Sequence, residues 1–275
     1  MFHYCLNTST IRGQKLTLVQ EIELAAQAGY QGIEPWLSEI EDYLQTGGTL
    51  PDLRKRIADV GLTVEGGIGF AEWIVDDDVQ RAAGLERARK DMDMLAAIGA
   101  TRMAAPAAGA QDQVGLNLYK AAERYRRLLE LGEQTGVTPL LEVWGFSKTL
   151  SQLGEALLVA AEARHKNACL LLDVYHLYKG GSEFTGLKLV HGPAIAVLHM
   201  NDYPAHPSRA TIDDADRVFP GDGVAPLKSI FRDLKAIGFH GVLSLELFNP
   251  TYYQRDPLEV IRTGLEKMKA VAEAT

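Results

Sequence analysis

Apolar positions along the chain recur with two different periods. Short, nearly continuous apolar runs are separated by stretches in which apolar residues return every three or four positions. The first kind predicts strands covered on both faces, and the second amphipathic helices. Leu18, Ile22, Ala25 and Ala26 form one helical stripe. Leu118, Ala121, Ala122, Tyr125, Leu128 and Leu129 form a fuller one, and Leu227, Ile230, Phe231, Leu234 and Ile237 another. Further helices are expected over 86–94, 156–163 and 258–271. Residues 43–60 should hold a short piece and then a helix from near Pro51, since proline suits a first helical position. Thr17 and Gln20 have the spacing of a capping box.

The apolar runs predict strands at 3–7, 32–36, 63–68, 101–105, 138–143, 169–174, 195–200 and 242–247. The fourth rests on position more than composition, because Met103-Ala104-Ala105 has poor strand propensity. A helical pattern ends in glycine and an apolar run follows at Gly29, Gly61, Gly99, Gly136 and Gly238. Glycine just past a helix takes the left-handed conformation that caps the last carbonyls. Strand, helix, glycine and strand again is the rhythm of a βαβα chain. No linker or low-complexity segment interrupts it. The expectation is therefore an α/β fold, a single (β/α)8 TIM barrel over residues 1–275, a length typical of that fold. A doubly wound open sheet would carry a glycine-rich phosphate fingerprint after an early strand. The G-G-I-G at 66–69 is followed by no convincing helix start.

Charge and composition narrow the function. The net charge of −8 disfavours a nucleic-acid partner, which requires a basic face. No apolar run approaches the roughly 20 residues of a membrane span, so no membrane role is expected. The N-terminus has no basic region followed by a long apolar stretch, which points to a cytoplasmic protein. Cys5 and Cys169 both lie in apolar runs and read as small buried hydrophobes rather than a disulfide pair.

The chemistry is concentrated in four consecutive strands. T-P-L-L-E-V-W-G carries Glu142, L-L-L-D-V-Y-H carries Asp173, V-L-H-M-N-D carries His199 and L-S-L-E-L-F carries Glu246. A barrel places the C-terminal ends of its strands at the active face. A charge inside an apolar run is costly unless it is paired or holds a cation. Three carboxylates and one imidazole suit a single divalent ion such as Mn, Mg, Co or Zn. The alternative is a set of salt-bridged residues in a polar barrel layer. Around these four, His176 in D-V-Y-H could hold a substrate oxygen or cap the next helix. Arg217, in a Gly/Pro-rich loop, could neutralise developing negative charge or pair with Asp216 in an exposed loop. Trp144, Phe146, Trp73, Phe70 and Tyr252 are candidate pocket walls. Asn7 and Glu34 end their strands and could reach substrate hydroxyls. His165, His191, His206 and His240 read as bystanders.

L-E-V-W, L-D-V-Y-H, L-H-M-N-D, D-R-V-F-P-G-D-G and L-E-L-F-N-P-T-Y-Y together resemble the xylose isomerase-like barrel superfamily of sugar isomerases and epimerases. Within it, the last two segments look most like inosose (2-keto-myo-inositol) isomerases, with ketose 3-epimerases of the D-tagatose type sharing the D-x-x-H. The resemblance implies that Glu142, Asp173, His199 and Glu246 bind one divalent metal. It also implies that Glu142 and Glu246 act as acid and base, and that His176 and Arg217 touch substrate oxygens. The activity it implies is isomerisation or epimerisation of a small keto-sugar or cyclitol by proton transfer through a metal-bound enediolate. An inosose-type dehydratase or a keto-glycoside lyase would use the same site, and a non-catalytic sugar-binding barrel is a reading from another class. Relatives often assemble as a homo-oligomer.

Overall fold

In a computed structural model, residues 2–274 are described. Strands and helices follow one another around the chain: β1 (His3–Asn7), α1 (Leu18–Ala28), β2 (Gly32–Glu34), α2 (Leu37–Gln45), α3 (Leu50–Asp59), β3 (Thr63–Val64), α4 (Asp78–Ile98), β4 (Arg102–Ala105), α5 (Leu118–Thr135), β5 (Thr138–Glu142), α6 (Leu153–Glu162), β6 (Leu170–Asp173), α7 (Val174–Lys179), β7 (Ile195–Met200), α8 (Leu227–Ala236), β8 (Val242–Leu245) and α9 (Pro257–Glu273). The recorded strand pairs are all parallel, in the order β3-β2-β1-β8-β7-β6-β5-β4. The ends of that order meet where Ala104 N donates to Gly67 O at 2.9 Å, so the sheet curls into a barrel.

The expected caps are in place. Gly29, Gly61, Gly99, Gly136 and Gly238 all have φ between 79° and 94°, a region costly for a residue with a Cβ. Thr17 and Gln20 form their capping box. Pro51 sits one place further into its helix than expected, behind Leu50, with Thr49 as the N-cap. The third strand is shorter than its apolar run: β3 ends at Val64, because Glu65, Gly66 and Gly67 leave the ladder before Ile68 makes a bridge to Trp36. The helix expected over 86–94 is longer, running from an Asp77 cap to Gly99.

Two cores are separated by the sheet. The larger lies between strands and helices; the smaller fills the barrel with Cys5, Ile68, Ala104, Leu140, Leu171, Val197 and Val242. Side chains two apart on a strand share a face. Asn7, Glu142, Asp173 and His199 each stand two residues beyond one of these interior plugs, and so point inward at the mouth. The register of β6 on β7 is irregular: Leu170 pairs with Ile195 but Leu171 with Val197, leaving Ala196 over, and Asp173 then meets His199 directly. On β5 the partner of Leu171 is Glu142. The inward set therefore climbs two residues from β5 to β6, which keeps it near one level as the strands tilt.

Candidate metal centre

Asp173, His199 and Glu246 offer one ligand atom each, all lying within 4.8 Å of one another and all buried. The segments around them explain why each side chain is held. Asp173 ends β6 and caps α7, its Oδ1 accepting from His176 N at 2.8 Å. The D-x-x-H spacing is thus the cap-to-third-residue spacing of a helix start. It delivers His176 beside the carboxylate that caps it. Asp173 Oδ2 accepts from Asn201 Nδ2 at 2.9 Å and from Arg217 Nη1 at 3.1 Å. Glu246 Oε1 accepts from Asn7 Nδ2 at 3.1 Å, and Oε2 from Arg217 Nη1 at 2.7 Å. Asn7 is itself fixed, since its Oδ1 accepts from Ser9 N and from the Trp36 indole.

His199 stands where its ring nitrogen and two carboxylates converge. Its Nδ1 lies 3.1 Å from Glu246 Oε2 and 3.9 Å from Asp173 Oδ2, yet makes no hydrogen bond. Its Nε2 stands 3.2 Å from Glu34 Oε2. With Nε2–H donated to Glu34, Nδ1 is the ring nitrogen that faces the two carboxylate oxygens, and a cation held between them would take the place of a proton there. Two carboxylates and an imidazole, all nearly free of solvent, fit a divalent ion that accepts oxygen and nitrogen.

The electrostatics of the bare chain agree. Burial alone would lower the His199 pKa, but the facing Glu246 and Glu34 hold it well above the ordinary imidazole value. Burial would raise Glu246, but His199 and Arg217 outweigh it and hold this carboxyl well below its usual range. At Glu142 the balance falls the other way. Burial raises it to about 8, with His199 opposing and Glu246 and Asp173 adding to the rise. Its carboxylate, at the end of β5, lies outside the three-residue cluster.

Arg217 is 1% exposed, so the exposed-loop alternative with Asp216 does not hold; it pairs with Asp214, Asp173 and Glu246. Its guanidinium lies between the Tyr175 and Phe248 rings, 4.5 Å and 5.0 Å from their centroids. Asp202 makes this placement. It accepts from the backbone N–H groups of Tyr203, Gly221 and Ala225, and its own backbone pairs with Val218. The long loop after β7 is thereby tied at its base, with Arg217 at its inner turn. Arg217 Nη2 donates to His176 Nε2 at 3.1 Å, and the buried His176 Nδ1 makes no hydrogen bond. Burial and the Arg217 charge both lower the His176 pKa.

A closed circuit of side chains surrounds the mouth. Phe248 contacts Trp36, Trp36 contacts Phe70, Phe70 contacts Trp144, Trp144 contacts Phe146 and Phe146 contacts His176, with ring centroids 5.1 to 6.2 Å apart. Arg217 joins the two ends. Trp73 and Tyr252 are not part of it. Trp73 is in the outer core, donating to Pro106 O, and Tyr252 stacks on Phe219. Glu34 is fully buried behind the His199 ring. His165, His191, His206 and His240 do not enter the cluster. Asn201 and Asp202, both in the L-H-M-N-D segment, were not singled out from sequence. Asn201 follows His199 by two and so shares its face, a signal that was legible.

Known proteins resemble this chain at both levels. Over 152 residues it is 34% identical to the inosose isomerase of Bacillus velezensis, a match covering 55% of this chain and 54% of that protein. The chain spans about half the length of the curated relatives it matches first. Over 264 residues it is 26% identical to the 3-dehydroshikimate dehydratase of Pseudomonas aeruginosa, covering 94% of this chain and 40% of that enzyme. A solved structure of the IolI protein with a bound zinc atom superposes with a TM-score of 0.91 at 24% identity, over 99% of both chains. Residues 22–271 match the family described as Xylose isomerase-like TIM barrel, and the chain belongs to that family.

Proposed function

We propose that this chain is a divalent-metal-dependent isomerase or epimerase of small keto-sugars or cyclitols, inososes among them. The observation that carries the reading is the buried cluster of Asp173, His199 and Glu246, with His199 Nδ1 turned towards two carboxylates. Glu142 completes the set of ligands in this reading. A divalent ion held there would polarise a substrate carbonyl and its neighbouring hydroxyl and lower the acidity barrier of the intervening C–H bond.

The remaining steps belong to the protein. One glutamate, Glu246 or Glu142, takes the proton from the carbon beside the carbonyl, and its bonding electrons move into an enediolate. The other glutamate, or the same one, returns a proton. Return to the neighbouring carbon, with the hydroxyl proton passing to the former carbonyl oxygen, moves the carbonyl and gives isomerisation; return to the opposite face of the same carbon gives epimerisation. Arg217 and the unpartnered His176 Nδ1 would hold the substrate oxygens on which charge grows. Trp144 would offer its face to the C–H side of the ring, and Asn7 would hold the Glu246 carboxylate in its orientation.

Incubation in D2O with the Mn²⁺-loaded protein tests this. Deuterium should enter a ketohexose or 2-keto-myo-inositol at a carbon next to the carbonyl, and EDTA should stop it. No exchange on any keto-sugar or cyclitol would overturn the isomerase reading. A second reading, dehydration, is favoured by the 3-dehydroshikimate dehydratase likeness over 94% of the chain. The same enediolate would then expel a β-hydroxyl, and the product would be lighter by one water.

A further inference from the structure

We propose that Glu34 is a positioning residue of the metal centre, holding the His199 Nε2–H so that Nδ1 is the ligand atom, rather than a contact to substrate. The proposal rests on the metal-site reading above. Three features of the structure carry it. Glu34 Oε2 is 3.2 Å from Nε2, and the two side chains are 1% and 0% exposed. Nδ1, on the opposite side of the ring, faces Asp173 and Glu246 with no hydrogen bond of its own. The other Glu34 oxygen, Oε1, is accommodated by Gly66, where an added Cβ would come within 2.9 Å of it.

A neutral imidazole carries one N–H, and the hydrogen bond at one nitrogen decides which lone pair is left for an ion. A carboxylate is the strongest acceptor a side chain can offer an N–H. Without it, nothing fixes the tautomer, and the form with Nδ1–H turned towards Glu246 competes with the metal. Glu34 comes from β2, separated from β7 by β1 and β8, so the bond also pins the ring across the interior. No strand neighbour could do this, because the residues flanking His199 on β6 and β8 are Asp173 and Ser244. Gly66 belongs to the same arrangement. Its backbone is outside the left-handed region, so its lack of a side chain is explained by the space Glu34 occupies.

The test measures metal affinity of the full chain by chelator competition with Mn²⁺ or Zn²⁺, and not turnover alone. Glu34→Ala should weaken binding by about tenfold to a hundredfold. Glu34→Gln, whose amide oxygen still accepts from Nε2–H, should stay much closer to the unaltered protein. Gly66→Ala should weaken binding in the same direction by crowding Oε1. In the metal-free protein, the Nε2–H proton should be a downfield, slowly exchanging NMR signal, and it should be lost in Glu34→Ala. Glu246→Ala is the control for the underlying reading. If Glu246→Ala abolishes binding while Glu34→Ala and Gly66→Ala leave it unchanged, the positioning role is wrong and the metal site stands. If Glu246→Ala changes nothing, the metal-site reading fails and this proposal falls with it. Should Glu34→Ala not fold, Gly66→Ala and the NMR signal decide: unchanged affinity with a crowded Oε1 overturns the proposal.

Discussion

Nη1 of Arg217 stands 2.7 Å from Oε2 of Glu246, and the same nitrogen reaches Asp173 at 3.1 Å. One guanidinium thus serves two carboxylates of the candidate metal cluster and is their chief positive partner besides His199. Removing one member of a buried ion pair typically costs about 3–5 kcal/mol, because the remaining charge is left uncompensated. Arg217→Ala is therefore expected to destabilise the EDTA-treated protein by about that amount. With a divalent ion added, much of the loss should be recovered, since the ion neutralises the same oxygens. Urea unfolding with and without Mn²⁺ gives the comparison; an equal loss in both conditions would separate Arg217 from the cluster's charge balance. Turnover should fall by about 10²–10³ as the donor to the charged substrate oxygen is lost.

The two candidate acid–base glutamates can be told apart from mere ligands by near-isosteric replacement. Glu142→Gln and Glu246→Gln keep an oxygen in place but cannot cycle a proton. Each should lower the rate of deuterium entry by about 10²–10⁴ while the far-ultraviolet circular dichroism is unchanged. Full turnover in either variant would sink the two-glutamate mechanism.

Glu21 offers a pH test remote from the chemistry. Its side chain is buried in α1, one oxygen is unpartnered, and burial with the nearby Glu39 raises its carboxyl from 4.5 to about 9. Between those values the folded chain keeps a proton that the unfolded chain has released. Stability from this group is complete below the unfolded value and is lost as pH rises through the window. Glu21→Gln removes that dependence. Its advantage over the unaltered protein should grow with pH from about 4.5 to 9, by at most about 1.4 kcal/mol per unit, and then level off. Melting curves at several pH values would show it, and a constant difference would count against the buried neutral carboxyl.

Gly145 is where the loop after β5 touches the chain after β6. A Cβ there would lie 2.3 Å from His176 O and 2.6 Å from Gly180 N, both backbone atoms that cannot swing aside. Gly145→Ala should cost about 1–3 kcal/mol in overpacking and shift both Trp144 and His176. A lower urea midpoint together with a raised KM is the expected pair of effects. Gly154→Ala, inside α6 with nothing within 4 Å of the added Cβ, is the control: it should leave KM unchanged and should raise the midpoint slightly rather than lower it.

Much of this was legible before the structure. The glycine caps, the eight strands and the four inward residues all follow from local rules: period, capping conformation and the cost of burying charge. What escaped was set by distant pairings. β3 stops early because Gly66 and Gly67 lie against Glu34 and Leu95, a contact no local window contains. Arg217 stands out in its loop as a candidate, but its burial does not, and only the Asp202 tether and the Tyr175 and Phe248 rings reveal it as an interior residue. Glu34 ends a strand like the other candidates. Its partner is 165 positions away across the barrel, so its engagement with His199 could not be inferred from spacing.

The unpaired Ala196 in β7 decouples the two ends of the barrel. Leu170 and Ile195 share the outer core, Leu171 and Val197 the inner one, and the spare residue lies between these rungs. β7 can therefore meet its lower connection at one register and its upper rung at another. The loop entering from below is relieved of any duty to set the height of His199. Changes of length at the bottom of the barrel can be absorbed there, and the ligand level at the top is inherited intact.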